Sequence, residues 1–449
     1  MLVKIVLCVI LFHLSTAYKV LLVYPTPYKS HAILGEAVVR LLIKAGHEVT
    51  YMTPYLIQKS HKNLYQIEVH TKGLFDNAVS INNLLTKEMN TANPFQIFNV
   101  IMDLANKTLL DDNVVKLLND ESIHFDVAII ERMFIDVYSG FSAVFNCPYI
   151  SFFSYHNDME ILELIHDMPN PAYTTNLITS NIPPHSFSQR VKGLFFQFLE
   201  VALKKCYFEQ KEKELYKIVF KSAFKRRGRN VPDYNDVKYN ASIALSTSHI
   251  SFGSSYVQPL ALKLIGGFHI DNVTESLPKS LQEIMDTSEN GVILFSMGSE
   301  LTFKGMPKQM RSDILRIFSN LKYTVLWKAN VSEANVPKNV EIVSWIPQQS
   351  VLAHPKCVLF VTHGGILSIA ESVHFGVPIV GVPGFGDQFI NIRTAVKNGI
   401  GIEVELSADM GDKLKEAIDE VLNNPRYRQR AKELSLIYHS RLVAPGVEL

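Results

Sequence analysis

The chain has 449 residues, of which 47% are hydrophobic and 19% charged, and a formal net charge of +1. That length suits two domains of roughly 200 residues with sizeable cores, and the composition is that of a globular protein rather than a disordered one. So balanced a charge supplies no global field for holding nucleic acid, and nucleic-acid binding is not expected.

The chain opens with "MLVKIVLCVILFHLSTA", one lysine, an apolar run and small residues ending at Ala17. This is the layout of a cleaved secretory signal over residues 1–17, and its removal takes Cys8 and leaves Cys147, Cys206 and Cys357. Three unclustered cysteines allow at most one disulfide and show no zinc spacing. N-x-S/T sequons at Asn106, Asn240, Asn272 and Asn330 fit a secretory chain. After residue 17 no apolar run approaches the roughly 20 residues of a membrane span. The expectation is a soluble or peripherally attached protein.

From Tyr18 the pattern alternates. "YKVLLVYP" reads as a strand buried on both faces. Paired apolar residues one turn apart then mark a helix that stops at Gly46, and "HEVTYMTP" is the next strand. "FDVAII" and "CPYISFF" follow as further buried strands of a parallel sheet. Residues 187–229 are helical in period, with aromatics and cations interspersed as in "LFFQFLEVALKKCYF". They are expected to cover the sheet with lysines outward; contact with a membrane surface or a partner is the alternative. A polar connection, "LIGGFHIDNVTESLPKSL", leads to a second series of strands: "GVILFSMGS", "YTVLWKA", "VEIVSWIP", "VLFVTHGG", "PIVGVP" and "IGIEVE". The prediction is α/β: two Rossmann-like doubly wound domains, residues 18–262 and 263–449, facing across a cleft at the carboxyl ends of their strands.

The second half carries the clearest ligand signals. In "THGGILSIAES" a strand meets a helix, and Gly364 and Gly365 let backbone approach a phosphate while the helix N-terminus and His363 offer donors. Gly298 and Ser299 close another strand nearby, and Glu371 is placed to reach a ribose hydroxyl pair. Trp345 can stack on a base, with Gln348 beside it to read the edge. No G-x-G-x-x-G follows the first strand of either half and no G-x-x-x-x-G-K-[ST] occurs, which disfavours a nicotinamide oxidoreductase and excludes a P-loop NTPase.

The run "SWIPQQSVLAHPKCVLFVTHGGILSIAESVHFGVPIVGVPGFGDQ" resembles the signature of the UDP-glycosyltransferase family, in the animal branch related to the glucuronosyltransferases. "YPTPYKSHAILGEAVVRLLIKAGHEVTYMTP" is similar to the start of that family's acceptor domain, and the likeness spans nearly the whole mature chain. The resemblance implies a GT-B fold, a UDP-sugar as co-substrate with no further cofactor, and inverting, metal-independent transfer to a small lipophilic acceptor. It implies that Trp345 and Gln348 meet uracil, that Glu371 binds ribose, and that Ser299, His363, Gly364 and Gly365 hold the diphosphate. Asp387 and Gln388 would bind the sugar's hydroxyls. Where many relatives have asparagine four residues after the signature histidine, this chain has Leu367 and then Ser368, so one phosphate contact is either lost or made by Ser368.

His31 follows the first strand at the expected start of the first helix and faces the cleft. Residue pattern alone makes it a surface histidine; the resemblance makes it the general base. Its carboxylate partner is left between Glu131, where the family usually has aspartate, and Asp136, five residues on. Asp126 lies at the wrong end of the strand. Phe153 and Tyr155 are candidates for the acceptor pocket. A non-catalytic relative that binds lipophiles or UDP-sugar is the alternative. The resemblance implies the lumen of the endoplasmic reticulum; the sequence supports the secretory route and shows no membrane anchor after "RLVAPGVEL", so a truncated C-terminal domain is expected.

Overall fold

The computed structural model describes residues 17–75, 80–86, 93–155, 158–165, 168–177, 179–249, 251–252, 259–271, 273–298, 306–330 and 335–449. The signal segment expected over residues 1–17 lies outside them except for Ala17.

Two parallel sheets organise the chain. The first contains β1 (Lys19–Val23), β2 (Glu48–Thr53), β3 (Leu64–Glu68), β4 (Val127–Arg132), β5 (Tyr149–Phe153), β6 (Ala241–Ser246) and β7 (Leu262–Leu264), in the order β3-β2-β1-β4-β5-β6-β7. The second contains β8 (Val292–Ser296), β9 (Thr324–Lys328), β10 (Val340–Val343), β11 (Cys357–Thr362), β12 (Ile379–Gly381) and β13 (Gly401–Glu403), in the order β10-β9-β8-β11-β12-β13. Every pairing is parallel. Strand composition explains why: β8 is buried at every position and β1 at all but its first, so both need helices on each face.

Around the two sheets lie, among other helices, α1 (Lys29–Lys44), α2 (Phe187–Leu203), α3 (Glu209–Arg226), α4 (Gln348–Ala353), α5 (Ile366–Phe375), α6 (Gln388–Lys397), α7 (Pro425–His439) and α8 (Pro445–Glu448). α1 buries Leu34, Ala37 and Val38 against β1 and β2. α3 covers the other face with Leu215, Tyr216, Val219 and Phe220. α2 does not cover the sheet as expected, for it has no buried residue.

The doubly wound arrangement decides where a ligand can sit. In each sheet the chain winds outward in both directions from a central pair, β1/β4 in the first and β8/β11 in the second. Loops leaving such a pair diverge to opposite faces and open a crevice at the carboxyl ends. The boundary expected after residue 262 falls inside β7. The terminal segment, expected wholly within the second domain, also crosses back. Tyr438 of α7 stacks on His249 at 3.8 Å, Arg441 donates to the Leu264 carbonyl at 2.7 Å, and Gly446 of α8 lies against Leu41 of α1.

Candidate active site

At the first crevice, β1 leads into α1 and sets His31 in its opening turn, while β4 delivers Glu131 and the residue after β5 delivers Ser154. His31 Nδ1 meets Glu131 Oε1 at 2.5 Å. Ser154 Oγ donates to the same Glu131 oxygen at 2.8 Å and stands 3.1 Å from His31 Nδ1. With its Nδ1 proton engaged by the carboxylate, the imidazole keeps Nε2 as the nitrogen available to the cleft. Glu131 is sealed from solvent, and its Oε2 finds no donor among the described residues.

Asp136 does not share this arrangement. It is buried against Arg132, whose Nη2 lies 3.1 Å from Oδ2, and against Lys238, whose Nζ lies 3.2 Å away. Burial opposes its ionised form, but the guanidinium and ammonium outweigh that and hold its carboxyl far below the usual range. Arg132 continues to Glu160 at 2.9 Å, and Glu160 accepts from the Tyr155 hydroxyl. Asp136 therefore belongs to an ion cluster that anchors the cleft floor. Tyr155 lines the cleft together with Phe75, Ile97, Met133 and Phe134, whereas Phe153 is wholly buried beneath the Arg132 guanidinium and does not.

The second crevice holds the other candidates. Gly298 follows β8 with φ +84°, and Gly364 follows β11 with φ +86°, conformations that glycine adopts without strain. The His363 ring packs between Gly298 and Gly365: a Cβ at either would come within 2.7 Å of it. Gly364 instead abuts Ile392 of α6 and lies behind the cleft surface. Burial, reinforced by the Lys328 charge, pulls the His363 pKa down to about 4, so the ring is neutral at physiological pH. Its Nδ1 is buried without a hydrogen-bond partner among the described residues. Ser299 lies outside the described residues.

Glu371, on α5, is also buried, and accepts from Gln348 Nε2 at 2.6 Å and Gln349 Nε2 at 3.2 Å. Gln348 donates to Ser368 Oγ as well, at 3.2 Å, so Gln348, Ser368 and Glu371 form one network. Trp345 is 52% exposed, with Lys328 Nζ 4.5 Å and Lys29 Nζ 5.5 Å from its ring centre. Gln388 Oε1 accepts from the Gly384 and Phe385 amides at 2.9 and 3.2 Å, shaping the loop before α6. Asn391 donates to both Asp387 Oδ2 and the Gly364 carbonyl, each at 3.0 Å, and so ties the two ligand loops together.

One cleft of about 760 Å³ unites both crevices. Its lining includes His31, Ser154, Gly298, Trp345, Gln348, His363, Gly365, Ser368, Glu371, Asp387 and Gln388. Glu131, Asp136 and Gly364 stand behind that lining. Sequence reasoning missed Ser154, Gln349 and Asn391. A serine after a strand or an asparagine within a helix carries no spacing signal; only the fold brings these side chains to their partners.

The arrangement can bind an anion at the second crevice and take up a proton at the first. The family model described as "UDP-glucoronosyl and UDP-glucosyl transferase" matches residues 19–447. UDP-glucosyltransferase 2 of Dactylopius coccus is 30% identical over 97% of this chain and 83% of its own. An ecdysteroid UDP-glucosyltransferase of Spodoptera littoralis nuclear polyhedrosis virus is 28% identical over 95% of this chain and 85% of its own. Os79 from O. sativa, solved in complex with UDP, superposes with a TM-score of 0.61 at 17% identity, covering 96% of this chain and 98% of that one. With a GT-B fold and this match along nearly its whole length, the chain belongs to the UDP-glycosyltransferase family and is a glycosyltransferase.

Proposed function

We propose that this enzyme transfers a hexosyl group from a UDP-sugar to a hydroxyl of a small lipophilic acceptor, with inversion and with His31 as general base. The observation that carries the reading is the His31–Glu131 contact of 2.5 Å on the wall of the same cleft that holds His363, Asp387 and Gln388. The acceptor O–H gives its proton to His31 Nε2 while its oxygen forms a bond to the anomeric carbon. The bond from that carbon to the phosphate oxygen breaks, and UDP leaves with the electron pair. Attack opposite the leaving group inverts the centre. As the proton arrives, the buried Glu131 carboxylate gains a cationic partner, and Ser154 holds that carboxylate in register.

In this scheme Trp345 stacks on uracil and Gln348 lies at its edge. Glu371 binds the ribose hydroxyls. His363, Gly298, Ser299, Ser368 and the Gly364–Gly365 turn at the N-terminus of α5 receive the diphosphate, and Asp387 and Gln388 take the sugar. Glucose is favoured as the sugar by the names of both relatives, and a lipophilic acceptor by the apolar wall of Phe75, Ile97 and Met133 and by the viral relative's ecdysteroid designation.

The test is acceptor-dependent UDP release from UDP-glucose and UDP-glucuronic acid, with His31→Ala as the comparison. Loss of a positioned general base is expected to lower turnover by at least about a hundredfold while UDP binding persists. Unchanged turnover in His31→Ala would overturn the assignment.

A further inference from the structure

The connection after β7 brings a histidine to the carboxylate assigned to ribose. Two tight turns lead the chain out of the first domain: Phe268 N–H donates to the Ile265 carbonyl at 3.1 Å, and Ile270 N–H to the Gly267 carbonyl at 3.0 Å. Gly267 takes a φ of +92°, and a Cβ there would collide with the Tyr438 hydroxyl, so the path depends on glycine. Phe268 buries its ring in the first domain, 5.7 Å from that of Phe152, while the neighbouring His269 lines the cleft. The His269 side chain is 3% exposed, and its Nε2 stands 3.5 Å from Glu371 Oε1 on α5. That nitrogen is buried and makes no hydrogen bond among the described residues.

An orphaned ring nitrogen is a cost that folds ordinarily avoid, and here the group beside it is a carboxylate. With its proton on Nε2, the imidazole is a donor to that carboxylate, and an approach of about half an ångström completes the hydrogen bond. Gln348 Nε2 already holds Glu371 Oε2 at 2.6 Å, and Gln349 Nε2 holds Oε1 at 3.2 Å. Gln349 Oε1 in turn accepts from the Asp271 amide at 3.3 Å, so α4 and the connection grip the carboxylate together. A carboxylate has about four acceptor positions, so three such donors still leave capacity for a ribose hydroxyl. Their work is to fix the direction in which that capacity points.

We propose that His269 is a positioning residue for donor binding, its Nε2–H holding the Glu371 carboxylate in the orientation that receives the ribose hydroxyls of UDP. The proposal rests on the ribose role given to Glu371 above. It is tested by calorimetric titration of the full chain with UDP and with 2′,3′-dideoxy-UDP, which lacks those hydroxyls. The variants are His269→Leu, which removes the donor, His269→Gln, whose amide N–H has about the reach of Nε2, and Glu371→Gln. His269→Leu is expected to weaken UDP binding about tenfold and to raise the KM for UDP-glucose in proportion, with kcat within about twofold. His269→Gln should recover most of the affinity. For dideoxy-UDP the loss in His269→Leu should shrink to within about twofold, because the carboxylate has no hydroxyl left to receive. Equal weakening of both ligands would make His269 a packing residue and overturn the proposal. Full UDP affinity in His269→Leu, with affinity lost in Glu371→Gln, would overturn the proposal alone. Full UDP affinity in Glu371→Gln would overturn the ribose reading, and the proposal with it. Should the melting temperature show that His269→Leu does not fold, His269→Asn, whose shorter amide stops short of the carboxylate, must show the same hydroxyl-dependent loss.

Discussion

At the scale of single residues, the site turns on one methylene. Glutamate at position 131 reaches both His31 at 2.5 Å and Ser154 at 2.8 Å through the same oxygen. Glu131→Gln, which keeps the length and removes the charge, is expected to lower kcat by about a hundredfold and to leave the KM for UDP-sugar within about twofold. Ser154→Ala removes one hydrogen bond to a charged group, worth about 1.5–3 kcal/mol, so a loss of about tenfold or more in kcat is expected, again without a KM change for the donor. If Ser154→Ala raised the donor KM instead, Ser154 would be a binding residue. Gly298→Ala places a Cβ 2.6 Å from the His363 ring at a φ of +84°, and should weaken UDP binding, read by titration, by about 1–3 kcal/mol. The sequence left Glu131 and Asp136 level because glutamate holds the strand-end position where the resemblance expects aspartate, and an aspartate follows five residues on. What separates them is a buried guanidinium and a lysine more than a hundred residues away, which no local pattern encodes.

At the scale of elements, the second half was legible strand by strand and the first was not. All six strands of the second sheet appear where the mainly apolar runs place them, and all but two of those runs close at a glycine or proline. In the first sheet β3, β6 and β7 went unrecognised. β3 is half-exposed, β6 starts exposed, and β7 has only three residues at an edge, so none yields a continuous apolar run. The helical stretch 187–229 was found, but its division into a helix that covers the sheet and one that turns its apolar face outward depends on tertiary contacts. α6 shows how an element serves the site from behind. Asn391 joins Asp387 to the Gly364 carbonyl, so Asn391→Leu should let the two loops drift, raising the KM for UDP-sugar about tenfold. Steady-state kinetics with the donor varied would check this, and an unchanged KM would leave Asn391 a packing residue.

At the scale of the whole molecule, three histidines sit where the terminal segment and the ligand loops meet, and all are held neutral. Burial, with the Arg441 charge beside it, pulls His249 down to about 3; burial with Lys328 pulls His363 to about 4; burial with His439 and His269 pulls His374 to about 4. His249 stacks on Tyr438, and His374 lies 4.3 Å from His439, so two of the three lie at the contacts of the returning α7. In the unfolded chain each takes a proton near pH 6.5, while in the fold it does so only near pH 4 or below. Unfolding therefore binds protons in that window, and stability must fall as pH falls from 6.5 toward 4. The limit is about 1.4 kcal/mol per pH unit for each histidine, reduced where water reaches the ring. Glu200 acts in the opposite sense: raised to about 7, it holds a proton in the fold that the unfolded chain releases above about 4.5, so it adds stability as pH falls from 7 toward 4.5. Glu200 offsets one of the three histidines; Glu212 and the exposed His70, also held above their ordinary values, offset part of the rest, and the net slope remains destabilising toward acid. The melting temperature is expected to drop steadily between pH 6.5 and 4.5, and His374→Asn, which cannot take up a proton, to drop less steeply. A flat profile across that window would mean that the terminal segment opens and hydrates these rings before the fold as a whole gives way.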